Sequence, residues 1–350
     1  MKSKSGCLLC GLLLVGCVTF PRWDIGIRIV DTSNYGTKFV SSGKYREVIV
    51  GVDEEHDRFY TFRGTARAIA MRTIGFDGRI LGTQKLSILY DTYEEKTKYA
   101  LSPEGKRVAY CDDVAGTISI VDVVTGEDRE VLSETLGHRT GTYKILWMSD
   151  NELLLVFGAE PTMPAFSNAI VSLKLGSGQV DMLYQGIGFA DDNTGFALSP
   201  DGRYFAFIDL VGRGSGGRVL RILDLLARNV FEAMPVTEGL ALGPLAWSPD
   251  GREIAYEAET DRRKTIVVFS RADGRTRTVK TLSDEDVLFS LAFLDKERLV
   301  CCWGSLDDAV RSTMSVFDAA SGEEERVIVE QSDLNVLPAD GGRIILCEVS

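Results

Sequence analysis

A repeated turn motif constrains this sequence more than any other feature. LAWSPDGREIAYE at 245–257 recurs in shorter form as ALSPDGRYFAF at 197–207 and ALSPEGKRVAY at 100–110. Weaker copies fit the gaps between these three and extend to both sides of them. Their residues in the register of the serine are Asp53, Met148, Leu294 and Pro338. Successive spacings of 44 to 51 residues give seven units, and a period of this size indicates a repeat architecture.

Ser-Pro-Asp-Gly has the composition of a type I turn. Serine accepts a hydrogen bond at the first position, proline presets φ at the second, and glycine closes the turn. A nucleophilic serine requires a neighbouring base, and the motif carries no histidine beside Ser102, Ser199 or Ser248. We therefore interpret the recurring serine, acid and base as architecture.

Each unit contains four short alternating runs separated by turn residues. In the unit around Ser102 the order is YAL, SPEG, RVAYC, TISIVDV, TGE and REVLS. Short strands punctuated by Gly and Asp turns predict a four-stranded antiparallel blade. Blades repeated radially form a β-propeller, in which only short strand edges are exposed. The predicted fold class is therefore all-β.

The two ends of the chain predict how the ring closes. The last unit begins near Asp333 and holds two strands, while IGIRIVDTSNYGTKFV at 25–40 supplies two more. Pairing of the N- and C-terminal strands in one blade would account for both, and gives seven blades. The alternative is six blades, with the first 50 residues packed as an irregular cap.

The repeated pattern SPDGR-x-hydrophobic-Ala-aromatic resembles the repeats of the TolB C-terminal propeller, also described as WD40-like or PD40 repeats. The likeness is clear in three units, degenerate in four, and extends over most of residues 24–350. It implies a relative of that propeller and not an equivalent of TolB, because the small α/β domain that precedes the propeller in TolB has no counterpart in this sequence.

The first residues have the pattern of an export signal. Lys2 and Lys4 precede the apolar run GCLLCGLLLV at 6–15, which is too short for a transmembrane helix. The following Leu-Val-Gly-Cys at 14–17 resembles the lipobox of bacterial lipoproteins, which implies cleavage before Cys17 and its acylation. The alternative is an ordinary signal peptide followed by a soluble secreted protein.

The resulting domain plan has three parts. Residues 1–16 form the signal peptide, 17–23 the lipidated cysteine and a short tether, and 24–350 a single propeller domain. The resemblance implies an exported, membrane-anchored lipoprotein. Because Val18 follows the cysteine where some bacteria use an aspartate to retain lipoproteins in the inner membrane, the outer membrane or the cell surface is favoured.

Charge and residue usage restrict the chemistry. A formal net charge of −12, from 39 basic and 51 acidic residues, makes nucleic acid an unlikely partner. Cys111, Cys301, Cys302 and Cys347 lie in apolar strand-like runs without a CxxC spacing. We interpret them as buried thiols, and their disulfide state is open.

No metal or other cofactor is predicted. His56 and His138 are the two histidines of the chain, too few for a histidine-rich metal centre. The acidic run DEEHD at 53–57 occupies the slot of the Ser-Pro-Asp-Gly turn, so we interpret it as a solvated turn. GRGSGG at 212–217 is followed by the strand-like VLRILDL, whereas a dinucleotide site requires a helix at that point.

The remaining candidates for function lie in the longer loops, which join the second strand to the third or one blade to the next. Functional residues concentrate on such loops when a rigid scaffold carries them. The predicted partner-binding residues are Glu160, Phe166, Asp191, Asp192, Arg262, Arg263, Trp303 and Asp307. Trp147 and Trp247, by contrast, are predicted to lie in the core.

The predicted function is binding of an envelope protein or peptide by a monomeric, non-catalytic propeller held at the membrane by its lipid anchor. One alternative is an enzyme or small-ligand binder at the channel mouth that uses acids such as Asp191 and Asp307. Another is a purely structural subunit of an assembly.

Overall fold

The computed structural model describes most of residues 25–349. The ranges that it describes are 25–31, 36–41, 47–53, 56–65, 68–86, 97–112, 117–132, 140–159, 169–186, 195–210, 218–233, 243–260, 263–305, 312–330, 333–339 and 343–349. These residues form 28 β-strands.

The strands have the following bounds. The first half of the chain contains β1 (Ile25–Asp31), β2 (Gly36–Ser41), β3 (Glu47–Asp53), β4 (Arg58–Thr65), β5 (Ala68–Gly75), β6 (Ile80–Leu86), β7 (Thr97–Leu101), β8 (Arg107–Asp112), β9 (Thr117–Asp122), β10 (Asp128–Leu132), β11 (Thr140–Ser149), β12 (Glu152–Ala159), β13 (Ala169–Lys174) and β14 (Gln179–Gln185). The second half contains β15 (Phe196–Leu198), β16 (Tyr204–Leu210), β17 (Arg218–Asp224), β18 (Asn229–Glu232), β19 (Ala246–Trp247), β20 (Glu253–Thr260), β21 (Arg263–Ser270), β22 (Thr276–Thr281), β23 (Asp286–Phe293), β24 (Arg298–Ser305), β25 (Ser312–Asp318), β26 (Glu324–Glu330), β27 (Asp333–Ala339) and β28 (Arg343–Val349).

The described strands form seven antiparallel sheets of four strands each. Six sheets are consecutive and are called blades 1 to 6: β3–β6, β7–β10, β11–β14, β15–β18, β19–β22 and β23–β26. Blade 7 combines the two ends of the chain in the order β27, β28, β1 and β2. The predicted propeller of four-stranded blades, closed by pairing of the terminal strands, is confirmed. The first 50 residues, an irregular cap in the six-blade alternative, contain β1, β2 and the start of β3.

The first strand of each blade is its innermost strand. Contacts between blades run from β3 to β7, from β7 to β11, from β15 to β19, from β19 to β23 and from β23 to β27. These contacts, together with the side chains shared by blades 3 and 4, arrange the sheets in chain order around the axis of the ring.

Where side chains are described, those that alternate along a strand fill the spaces between blades, as period-two geometry requires. In β16, Phe205 and Phe207 pack on Leu154 of blade 3, while Ala206 and Ile208 pack towards blade 5. These four residues of β16 are 0–1% exposed. The core therefore consists of layers between neighbouring blades.

Two tryptophans tie consecutive inner strands together. The indole Nε1 of Trp147 donates to the Ala100 carbonyl oxygen of the preceding blade at 2.9 Å. Trp247 donates in the same way to Ala197 at 3.0 Å. Both rings are less than 8% exposed, which confirms the prediction that they lie in the core.

The recurring serines make the predicted turns. The buried hydroxyl of Ser248 accepts hydrogen bonds from the backbone N–H groups of Arg252 and Glu253 at 3.2 and 2.9 Å. It donates to Asp250 at 2.7 Å, so the serine and the acid of the motif hold the turn together. Ser199 accepts from Tyr204 N–H and donates to Asp201 in the same arrangement.

Three residues of the acidic run at 53–57 are described: Asp53 ends β3, and His56 and Asp57 precede β4. The Asp53 carboxylate accepts hydrogen bonds from Arg58 Nε at 2.8 Å and from the backbone N–H of His56 at 3.3 Å. Burial raises the pKa of Asp53, but hydrogen bonds with His56 and Arg58 outweigh it, so the pKa lies below its usual value. The GRGSGG run at 212–217 lies outside the described residues, and strand β17 begins directly after it at Arg218.

Where the structure describes the chain, it contains no helix of the length and apolar character required to cross a membrane.

Candidate binding face

The two edges of the ring differ in how regular their connections are. One edge, the turn face, carries the connections between first and second and between third and fourth strands, which are two to five residues long. The opposite edge, the loop face, carries the connections between second and third strands and between blades, which vary from two residues at 261–262 to thirteen at 233–245. Variable connections on a regular scaffold are typical of binding surfaces.

Most of the predicted binding residues lie outside the described residues. These are Glu160, Phe166, Asp191, Asp192, Arg262 and Asp307, together with the predicted lipidation site Cys17. The strands that flank the connections at 160–168, 186–195, 261–262 and 306–311 all end at the loop face. Their assignment to a partner site stays a prediction.

Arg263 and Trp303, the two predicted residues that the structure describes, differ in exposure. Arg263 is exposed at the start of β21, where its backbone pairs with Thr260. Trp303 is 8% exposed in β24 and stacks on Phe317 with ring centroids 5.9 Å apart. Arg263 is thus available to a partner, whereas the ring of Trp303 mainly fills the core.

A buried carboxylate joins blades 3 and 4 at the loop face. Asp209, near the end of β16, is 2% exposed. Its Oδ2 accepts hydrogen bonds from the Tyr184 hydroxyl of blade 3 at 2.5 Å and from Arg221 Nε at 2.7 Å. Such an ion pair persists in a buried position because the hydrogen bonds compensate for the desolvation of the charges.

The other oxygen of this carboxylate is without a partner in the described part of the chain. Asp209 Oδ1 lies 2.9 Å from the position that a Cβ atom would occupy at Gly186, the first residue after β14. The carboxylate therefore lies close to the first residue of the connection that carries Asp191 and Asp192.

Sequence reasoning did not identify the cluster of Asp209, Tyr184 and Arg221. A signal was present, since the acid interrupts the apolar run YFAFIDL of β16. Its partners are 12 and 25 residues away along the chain, and one belongs to another blade, so the spacing alone does not reveal them.

A second link joins blades 5 and 6 at the same face. The Nζ of Lys264, next to the exposed Arg263, donates a hydrogen bond to the Asp286 carbonyl oxygen at 2.7 Å. The start of β21 is therefore fixed to the start of β23, and the two-residue connection between β20 and β21 extends from a rigid base.

The described thiols are unsuited to nucleophilic chemistry. Cys111, Cys301 and Cys302 are buried and do not form disulfide bonds. Burial raises the pKa values of both Cys301 and Cys302, which suppresses the reactive thiolate. The described residues also contain no group of three or more His, Cys, Asp or Glu side chains placed to hold a metal ion. Cys347 and His138 lie outside the described side chains.

Comparison with solved structures shows the fold class. An oligogalacturonate lyase from Vibrio parahaemolyticus is 12% identical, with 94% of this chain and 99% of that one covered at a TM-score of 0.62. A manganese complex of an oligogalacturonate lyase is also 12% identical, with 93% and 91% covered at a TM-score of 0.60. The chain is a β-propeller.

The propeller is also similar to a putative TolB from Agrobacterium tumefaciens. That structure is 14% identical, with 75% of this chain and 90% of that one covered at a TM-score of 0.48. No family model and no curated protein sequence matches the chain. At these identities the likeness concerns the fold of the propeller and not its activity.

Proposed function

We propose that this propeller is a lipid-anchored protein of the bacterial envelope that binds a protein or peptide partner through its loop face. The observation that carries the proposal is the contrast between the two edges of the ring. Turn-face connections are limited to two to five residues, while loop-face connections extend to thirteen.

The turn face uses its polar groups to hold the fold. The Ser199 and Ser248 hydroxyls bind the backbone of their own turns. The Arg277 guanidinium donates to both carboxylate oxygens of Glu253 at 2.7 Å and to the Ala319 carbonyl oxygen of the next blade at 2.6 Å. These groups are committed to architecture, which leaves the loop face as the better candidate for recognition.

The loop face combines rigid bases with irregular connections. Asp209 and Lys264 bind residues of neighbouring blades at strand ends from which loop-face connections extend. The loop-face connections contain acidic, basic and aromatic residues such as Asp191, Arg262 and Phe166. Rigid support of this kind reduces the entropy that binding must overcome. A protein or peptide surface can meet several such loops at once.

Membrane attachment rests on the sequence around Cys17. The basic start, the apolar run and the Leu-Val-Gly-Cys stretch at 14–17 support lipidation of this cysteine. Two or more acyl chains give stable anchoring where a single chain would be marginal. We propose that the anchored protein lies at the outer membrane or at the cell surface.

Fractionation and crosslinking test this proposal. The protein should sediment with membranes, and Cys17→Ser should release it. A cysteine-directed photo-crosslinker on Arg263→Cys, at the loop face, should capture a partner, whereas the same probe on the exposed Leu226→Cys of the turn face should not. Equal capture from both faces would contradict the assignment of the binding face.

A second candidate function is binding or cleavage of a small ligand at the loop face. It is favoured by the acidic residues that the sequence places in loop-face connections, such as Asp191 and Asp307. The similar lyases act on oligogalacturonate, as their names state. Chromatography of oligogalacturonate incubated with the protein, with and without manganese, tests this candidate. Unchanged chain lengths under both conditions would exclude this substrate.

A further inference from the structure

The chain enters the propeller at the loop face. Strand β1 is the third strand of blade 7 and runs antiparallel to β28, with Ile25 opposite Val349 and Asp31 opposite Arg343. Strand β28 starts next to the turn-face connection at 340–342 and ends at the opposite edge. Ile25 therefore lies at the loop face, on the same edge as the connections that carry the predicted binding residues.

The tether between the predicted anchor and this point is short. Cys17 precedes Ile25 by eight residues, which span at most about 28 Å when fully extended. A globular domain of about 100 residues has a radius of gyration of about 13 Å, which corresponds to a diameter of about 34 Å. A partner domain of this size cannot lie between the bilayer and a loop face parallel to it.

The position of the anchor in the ring defines where space is available. Blade 7 carries the tether, and blades 3 and 4 lie across the ring from it, because two blades lie between blade 7 and each of them: blades 1 and 2 on one side, and blades 5 and 6 on the other. A tilt of the ring on its tether moves blades 3 and 4 away from the bilayer while blade 7 stays close. The Asp209 and Tyr184 cluster lies at the junction of these two blades.

We infer that the loop face is the membrane-facing side of the propeller, and that the partner bound there is a protein held at the membrane. This inference rests on the proposed lipid anchor. The turn face, with its short regular connections, then points away from the bilayer. A partner embedded in or attached to the membrane can meet the loop face near blades 3 and 4, whereas a soluble globular partner is excluded from most of the gap.

Energy transfer to the bilayer tests the orientation. Arg263 and Ala272 are both exposed, and Arg263 begins strand β21 at the loop face, whereas Ala272 lies in the turn-face connection two residues after the strand ends. A donor dye on Arg263→Cys or on Ala272→Cys reports the distance to acceptor lipids in membranes that hold the full-length lipidated protein. The strand between the two sites is about 23 Å long, so we expect about twofold higher transfer from Arg263→Cys. Equal transfer, or higher transfer from Ala272→Cys, would overturn the orientation.

The Cys17→Ser variant separates failure of the anchor from failure of the orientation. Loss of transfer from both dyes on this substitution supports the anchor. Membrane retention of the variant would refute the lipid anchor and, with it, both the proposed function and this inference. The unaltered chain, treated with the same dye, measures labelling of its native cysteines.

Cleavage of the tether tests the class of partner. In the Arg263→Cys variant, a protease recognition sequence of the same length replaces residues 18–23. After photo-crosslinking, the membranes are washed and the protease cuts the tether. Retention of the propeller in the membrane through its crosslinked partner supports a membrane-held partner. Release of the crosslinked complex into the soluble fraction would overturn that part of the inference.

Discussion

Arg228 adopts a left-handed backbone conformation and donates a hydrogen bond from Nη2 to Asp181 Oδ2 of the preceding blade at 2.9 Å. Its φ is 56°. Positions equivalent to Arg228 in four other blades are glycines with φ near 70°. They are Gly126, Gly178, Gly274 and Gly322. Arg228 therefore occupies a position whose backbone conformation favours glycine, and its side chain forms an ion pair with Asp181 of the neighbouring blade.

Two substitutions of Arg228 separate the effect of the left-handed backbone strain from the effect of the ion pair with Asp181. Arg228→Ala retains the left-handed strain and loses the ion pair, so it should lower the free energy of unfolding. Arg228→Gly loses the same pair but relieves strain of about 1 kcal/mol. We expect the glycine variant to be more stable than the alanine variant by about this amount, measured by urea denaturation. Equal stabilities would show that the backbone at this position is unstrained.

Gly322 and Gly274 provide a matched pair that tests the close approach between blades. Both have φ above 70°, but a Cβ at Gly322 would lie 2.8 Å from the Val279 carbonyl oxygen of blade 5. At Gly274 no described atom lies within 4 Å of that position. Gly274→Ala should destabilise by about 1 kcal/mol through backbone strain, and Gly322→Ala by a further 1 to 3 kcal/mol, roughly, through overpacking.

Thermal and urea unfolding of the two glycine variants measure this difference. Both substitutions add the same methyl group at the same turn position, so their difference isolates the contact with Val279. Equal loss of stability in both variants would indicate that the blades separate enough to accept the methyl group.

The fold was predictable because its determinants are local. Ser248, Asp250 and Gly251 specify a turn through backbone hydrogen bonds within a few residues, and such chemistry can be read directly from sequence. The repeat spacing then gave the blades, and the incomplete last unit after Asp333 gave closure by both termini.

The candidate site was less predictable because its contacts join distant positions. Tyr184 and Asp209 belong to different blades, and Lys264 binds a backbone carbonyl group, which leaves no residue-specific signal at Asp286. The sequence predicts that Trp303 binds a partner because it lies close to the irregular connection at 306–311. Its burial against Phe317 instead reflects the packing of neighbouring strands within blade 6.

Native thiols should resist alkylation. Cys111, Cys301 and Cys302 are at most 2% exposed, and burial raises the pKa values of Cys301 and Cys302. At about pH 8 the thiolate fraction at these two sites is therefore very small. We expect maleimide labelling, mapped by mass spectrometry, to leave all three unmodified until urea unfolds the propeller. Rapid labelling of Cys301 or Cys302 in the native protein would contradict this packing.

Aspartates of the turn between third and fourth strands should make stability depend on acid pH. Hydrogen bonds from the backbone and hydroxyl of Ser321 lower the pKa of Asp318, and a hydrogen bond from Thr125 N–H does the same for Asp122. A carboxyl group whose folded pKa is lowered contributes stability above its unfolded pKa. This contribution is lost as the pH falls through the folded value.

The free energy of unfolding should therefore decrease as the pH is lowered below about 4, where the unfolded carboxyl groups begin to bind protons. Asp318→Asn keeps a side-chain acceptor for the turn but removes the titrating group. The free energy of unfolding of this variant should therefore fall less steeply over this pH range than that of the unaltered chain. In the double variant that also carries Asp122→Asn, it should fall less steeply still. Urea denaturation at a series of pH values measures the slopes. Equal slopes for the unaltered chain and both variants would show that the charged aspartates stabilise these turns no more than the protonated ones do.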